Sequence, residues 1–219
     1  AALPPLPDWA GRRAPPLVED AAVLAPSALG GAKALAGETG APGWDEAAAM
    51  RRGTALHRLL EHLPLWPRAD WPMIAEALVQ SLEDGPDPAE TEPLLAEAAR
   101  VLTDPALAAL FAPGTLAEVE LTAALPTLGG RRAQGTIDRL LIGAERILAV
   151  DFKSNAIVPA DAGAVPDGLL RQMGAYAEML AQIYPGRRIE TAILWTKAAR
   201  LMPLPHDIVR AALAATSIP

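Results

Sequence analysis

Two apolar runs, Thr136 to Ile142 and Ile147 to Phe152, are separated only by Gly143-Ala144-Glu145-Arg146. This stretch leaves the chain little freedom in how it folds. Both runs are rich in Ile, Leu and Val, as strands are. So short a link closes them into a hairpin with Ile142 opposite Ile147. Pairing outward from the turn in constant register then sets Asp138 opposite Asp151. Directly opposed residues have Cβ atoms about 4.5–5.5 Å apart, and like charges there repel. Lys153, two residues past Asp151, falls on the same strand face. Two facing carboxylates beside a lysine point to a divalent-cation site, since hard oxygen ligands suit Mg²⁺ or Mn²⁺. Such an ion makes water a nucleophile near neutral pH. Lys153 is placed to orient that water or to offset charge on a phosphoryl transition state. The plainer reading is a salt-bridged pair on a polar sheet face, with Arg139 or Arg131 nearby.

The rest of the chain supplies an α/β frame. Residues 1–44 are rich in Pro, Ala and Gly and read as a linker with at most short helical turns. Within it, Gly30-Gly31-Ala32-Lys33 resembles a phosphate loop but lacks the Gly-Lys-Ser/Thr ending. From Asp45 the pattern is helical: Leu56, Leu59, Leu60 and Leu63 form one buried stripe, which Pro64 and Pro67 end. Trp71 to Leu82 and Pro93 to Leu102 read as helices, and Asp104-Pro105 opens a short one. Glu118 to Leu125 is a first strand, Gly168 to Tyr184 an amphipathic helix, Ile189 to Thr196 a further strand and Asp207 to Thr216 a terminal helix. The expectation is a domain over 45–219. Its helical part spans about 64–112, and its core, about 115–205, is one mixed sheet flanked by helices.

Further candidates lie on these elements. His57 follows Gly53 by four residues, so the two share a helix face. A glycine there leaves room for a backbone or ligand, and His57 can reach a metal held by the sheet. Imidazole with two carboxylates is a workable set for Mn²⁺. A lone histidine beside a leucine stripe is otherwise structural. Gln172 and Tyr176 share a face in the same way; Tyr176 alone would be core. Arg51, Arg52, Arg58, Arg171, Arg187 and Arg188 are candidates to line a phosphate track, Arg171 foremost because it adjoins Gln172. Of Glu118 and Glu120 on the first strand, Glu120 is the candidate to face the site.

Composition narrows the function. The 219 residues are 51% hydrophobic, enough for a real core, and the formal charge is −7, so no global basic field attracts nucleic acid. Any DNA contact must come from a local groove, a bound metal or a neighbouring domain. No cysteine is present, which excludes disulfides and thiolate metal sites and fits a reducing compartment. No apolar run reaches the roughly 18 residues of a membrane span, and Ala1-Ala2-Leu3-Pro4-Pro5 is no signal peptide. The missing initiator Met suggests a piece of a longer polypeptide.

Taken in order, Gly53 to His57, Gly135 to Asp138, Asp151 to Lys153 and Gln172 to Tyr176 resemble the four motifs of the RecB family of nucleases. That family lies within the PD-(D/E)xK superfamily. The likeness spans about 45–205. It is sharpest to AddA-type helicase–nuclease subunits at Gly135-Thr136-Ile137-Asp138-Arg139-Leu140, Asp151-Phe152-Lys153-Ser154-Asn155 and Ala192-Ile193-Leu194-Trp195-Thr196. The resemblance implies a restriction-endonuclease-like core and a Mg²⁺-dependent DNA exonuclease, with Mn²⁺ able to substitute. His57, Asp138, Asp151 and the Phe152 carbonyl would bind the metal, and Lys153 would be catalytic. Gln172, Tyr176 and Arg171 would support the site and the DNA. It further implies single strands fed by helicase domains of the same longer chain, with ATP used only there, and an AddB-type partner subunit. The setting would be double-strand-break repair in the bacterial cytoplasm, at the nucleoid. The rival is a catalytically silent nuclease fold that braces a helicase or partner.

Overall fold

The structure is a computed structural model that describes residues 23–35 and 45–217. Its centre is a five-stranded sheet: β1 (Leu116–Leu125), β2 (Arg131–Ile142), β3 (Arg146–Lys153), β4 (Arg188–Trp195) and β5 (Arg200–Leu204), in that spatial order. All neighbours are antiparallel except β3 and β4, which are parallel. A parallel pair needs a long crossover, and α4 (Asp167–Ile183) supplies it. The sheet is mixed and flanked by helices, as expected.

Strand alternation sorts the core into two layers. Ile147 and Ala149 join Met173, Tyr176 and Leu180 of α4 and Val209 and Leu213 of α5 (His206–Ala214) on one face. Val150 and Phe152 join the other face, with α1 (Glu46–His62), α2 (Trp71–Gln80) and α3 (Thr91–Thr103). The stripe Leu56, Leu59, Leu60 and Leu63 is wholly buried there. α4 and α5 touch at Gly174, where an added Cβ would lie 2.4 Å from the Val209 carbonyl oxygen.

Three details differ from the sequence reading. β5 was not expected: it has five residues, one of them Pro203, and proline is tolerated on an edge strand. Asp104-Pro105 opens no α-helix; Asp104 accepts the Ala106 N–H in a turn, and a 3₁₀ turn follows at Ala108–Phe111. The described part of the Pro-rich opening packs on the core. Leu29 is buried beside α4, and Leu24 bonds to β2 through Leu24 N–H to Arg132 O (2.9 Å) and Gln134 N–H to Leu24 O (2.9 Å).

Alternation fails once, at the place that matters. Ile137 and Leu140 both lie in the α4-side core although three residues apart. The β1–β2 ladder runs from Leu125↔Arg131 to Leu116↔Leu140 but skips Glu118 and Asp138. Glu118 has φ +48°, in the left-handed region. Such backbone in a non-glycine residue costs about 1–3 kcal/mol and gathers at functional sites.

Candidate active site

The hairpin register is the expected one, from Ile142↔Ile147 to Arg139↔Val150. There the ladder stops, one pair short of Asp138 and Asp151. The strands part, and the Asp138 carboxylate fills the gap, its Oδ2 accepting the Phe152 N–H at 2.5 Å. The Tyr176 hydroxyl donates to the Thr136 carbonyl (2.6 Å), holding β2 against α4. Asp138 and Asp151 are therefore not a ladder pair; they lie where the strands splay, near enough for Asp138 to raise the Asp151 carboxyl.

The candidate side chains come from several elements: α1, β2, β3 and α4. Asp151 is 3% exposed; it ion-pairs with Lys153 and accepts from Gln172 Nε2 at 2.7 Å. His57 reaches down from α1. Its Nδ1 lies 3.3 Å from Asp138 Oδ1 and its Nε2 3.2 Å from the Phe152 carbonyl oxygen. Its ring stands edge-on to the Phe152 ring, centroids 5.7 Å apart. Arg139, buried on the same side, donates to the Leu60 carbonyl (2.9 Å) and lies over Phe111, tying β2 to α1 one turn from His57.

Both histidine nitrogens thus face acceptors, and carboxylates outnumber the cations around them. Burial disfavours charge on His57, yet Asp138 outweighs it and holds the imidazolium above its ordinary pKa. Burial would push Asp138 up, but the His57 pair, Lys153 and the Phe152 N–H hold it below the usual carboxylate range. Asp151 goes the other way: burial raises it more than Lys153 can offset, and Asp138 adds to the rise. Lys153 is disfavoured by burial but kept charged by Asp151 and Asp138. Burial and then Asp151 push the Tyr176 phenol up, so it stays a donor. Buried titratable groups that shift one another this strongly are concentrated at functional sites.

Of the two glutamates on β1, the one expected to face the site does not lie nearest it. Glu120 is exposed and paired with Thr136. Glu118 instead has an oxygen within 4.8 Å of ligand atoms of both His57 and Asp138, and its carboxyl is raised by burial and by Asp138. The kink at its own φ interrupts the strand there. Extending the β1–β2 register by one pair would have placed Glu118 opposite Asp138. Two carboxylates, an imidazole and the Phe152 carbonyl fit a hard divalent cation that tolerates one nitrogen ligand, Mn²⁺ or Mg²⁺; Asp151 lies outside that close group and is held by Lys153 and Gln172.

The arginine track does not form. Arg171 donates to the Leu29 carbonyl (3.3 Å), Arg58 pairs with Glu61, Arg188 with Glu190, and Arg187 bonds the Gly143 carbonyl. Arg51 lies 3.9 Å from Asp45. Arg52 pairs with Glu90 (3.3 Å) and with buried Glu97 (2.8 Å), and Glu97 accepts from Thr196 at 2.6 Å, beside the Lys153 carbonyl. That network was not legible, because its bonds join residues 38 to 99 apart. Gly53 is not sterically required: a Cβ would meet only Ser154 Oγ at 3.6 Å.

The pattern of the PD-(D/E)XK nuclease superfamily matches residues 34–208, well over half of the chain. The chain belongs to the PD-(D/E)XK nuclease superfamily. Membership implies metal-dependent nuclease chemistry, and the donor set agrees with it. No curated protein is similar enough to count as a match. Among solved structures, the chain is similar to the one described as the crystal structure of SSO0001, at 16% identity over 73% of this chain and 71% of that one, with a TM-score of 0.31. Among the described residues of this PD-(D/E)XK protein, no helix is long and apolar enough to cross a membrane.

Proposed function

We propose that this chain is the nuclease domain of an AddA-type helicase–nuclease subunit. It would cut DNA strands, as an exonuclease, as attached helicase domains deliver them in double-strand-break repair. An AddB-type subunit would be its partner, the bacterial cytoplasm its setting, and ATP would be used only by the helicase portion. The observation that carries the reading is the convergence of His57, Asp138, Asp151, Lys153 and the Phe152 carbonyl where β2 and β3 part.

His57, Glu118, Asp138, Asp151 and the Phe152 carbonyl would hold Mg²⁺, or Mn²⁺ in its place. When bound, the cation supplies Lewis-acid activation of water and neutralises phosphate charge. Lys153, kept protonated by its two acidic neighbours, offsets charge that builds on the phosphoryl oxygens. Gln172 fixes the Asp151 carboxylate. Tyr176 fixes the backbone two residues before Asp138. A silent scaffold has no use for a buried, strained cluster of acids. Incubating the protein with end-labelled single-stranded DNA and Mn²⁺ tests the reading. Shortened products are expected from the wild type and none from Asp151→Ala; products that persist in that variant, or with excess chelator, contradict it.

A further inference from the structure

A cleft of about 1030 Å³ opens beside His57 and Lys153, between α1 and the loop that leaves β3. Its lining includes Lys33, Arg52, Asn155 and Lys197. Lys33 comes from the segment preceding α1, which reads as linker in sequence. In the fold its described residues, 23–35, form a strap seated in glycine cradles. A Cβ at Gly135 would lie 2.9 Å from the Pro26 ring, and one at Gly168 would lie 2.7 Å from the Ala32 oxygen. Gly31 has φ +87° and presses against Gly168, so a side chain is excluded on both sides of the contact. Gly168 N–H donates to Ala32 O (2.8 Å) and Arg171 to Leu29 O. Gly168 sits one turn before Gln172 on α4, so the strap rests on the helix that fixes Asp151.

The two outlying lysines have pinned backbones. The Lys33 carbonyl accepts from Asn155 (3.5 Å), and the Lys197 carbonyl from Arg100 (3.0 Å). Both side chains are exposed, and among the described residues neither ammonium has a carboxylate within ion-pair distance. Of the two acids in the lining, Asp45 is engaged in capping α1 through the Ala47 N–H, and Glu46 is exposed in the first turn of that helix. Arg52 is engaged with Glu90 and Glu97. In a chain of net charge −7, Lys33 and Lys197 are two exposed cations on the lining of the cleft that leads to the acidic cluster.

We propose that the strap is a wall of the substrate cleft, and that Lys33 and Lys197 hold backbone phosphates of a single nucleic-acid strand on its way to Asp138 and Asp151. This rests on the nuclease reading and deepens it. A cleft of this volume is of the size that holds a drug-sized ligand, so it has room for a short run of one strand. Lysines on phosphates add salt-dependent affinity without reading sequence.

The test is steady-state cleavage of a 5′-labelled 20-mer of oligothymidylate, and of a duplex of the same length, in Mn²⁺ from 50 to 200 mM NaCl. The proteins are wild type, Lys33→Ala/Lys197→Ala and Gly168→Ala. The double variant, which alters only exposed side chains, should raise KM on the single strand about tenfold and leave kcat within twofold. It should also flatten the log–log salt dependence by about 1.4, at roughly 0.7 per phosphate contact on a single strand. Gly168→Ala, by unseating the strap, should raise KM in the same direction. Wild-type cleavage with an unchanged KM and salt slope in the double variant would overturn the cleft assignment alone. An equal KM rise on duplex would overturn its single-strand preference. Absence of cleavage by the wild type would remove the nuclease reading and this one with it.

Discussion

His57 and Asp138 set the pH response of the site. The His57 pKa is raised above 6.5 in the folded chain because Asp138 outweighs burial. Its contribution to stability is therefore complete below the unfolded value and is lost as pH climbs through the folded one. A metal ion must displace that proton, so Mn²⁺ affinity should increase as pH rises through the same window. Asp138→Asn removes the counter-charge, leaves burial in command and should carry the His57 titration downward, which NMR of the metal-free protein would read. An unmoved His57 titration would contradict the pairing. Asp151 poses a second test. Relief of repulsion alone would make its removal stabilising in the metal-free protein. Two contacts oppose that: Lys153 and Gln172 both rest on Asp151, and a buried donor left unpaired costs about 1–3 kcal/mol. Asp151→Asn keeps an acceptor for Gln172 and discards a carboxyl that burial already disfavours. Thermal melts should rank Asp151→Asn above Asp151→Ala, with both inactive; the reverse order counts against this account.

At the scale of elements, the site is a fault line in the sheet. The β2–β3 register was legible because a four-residue turn fixes it, and side-chain period fixes everything beyond it. What was hidden is where pairing ends, since that depends on Tyr176 and Asp138 drawing backbone groups out of the ladder. Glu118 was missed for the same reason: its left-handed φ interrupts a strand whose residues show ordinary alternation. Glu118→Gly should therefore leave thermal stability unchanged or higher while weakening Mn²⁺ binding. Glu120→Gly, in regular strand geometry, should cost about 0.5–1 kcal/mol. Equal losses at the two positions would argue against strain at Glu118. The strap was unreadable in a Pro-, Ala- and Gly-rich segment, yet it explains the glycine of the Gly135-Thr136-Ile137-Asp138 stretch. Gly135→Ala would drive a Cβ against Pro26 and Tyr176 Cε1, at 2.9 and 3.1 Å. Overpacking of that kind costs about 1–3 kcal/mol. Chemical denaturation should show the loss, and cleavage should fall with it.

Over the whole molecule, the two core layers hold the halves of the site from opposite sides. The α4 layer fixes Asp151 through Gln172, and the helical layer brings His57 through α1. Arg52, Glu97 and Thr196 lock α1 and α3 to the ends of β3 and β4. The mixed sheet and its helices could be read from periodicity, because long apolar patterns dictate them. The bracing between layers could not, because it is written in residues far apart along the chain. On the proposed function, this construction makes a buried acid cluster tolerable when a divalent ion joins it. Calorimetric titration of Mn²⁺ into the wild type, Asp138→Asn and Asp151→Asn at pH 7 tests that directly. The account predicts binding with proton release in the wild type and a loss of at least tenfold in affinity in each variant. Binding of equal strength in all three would contradict it.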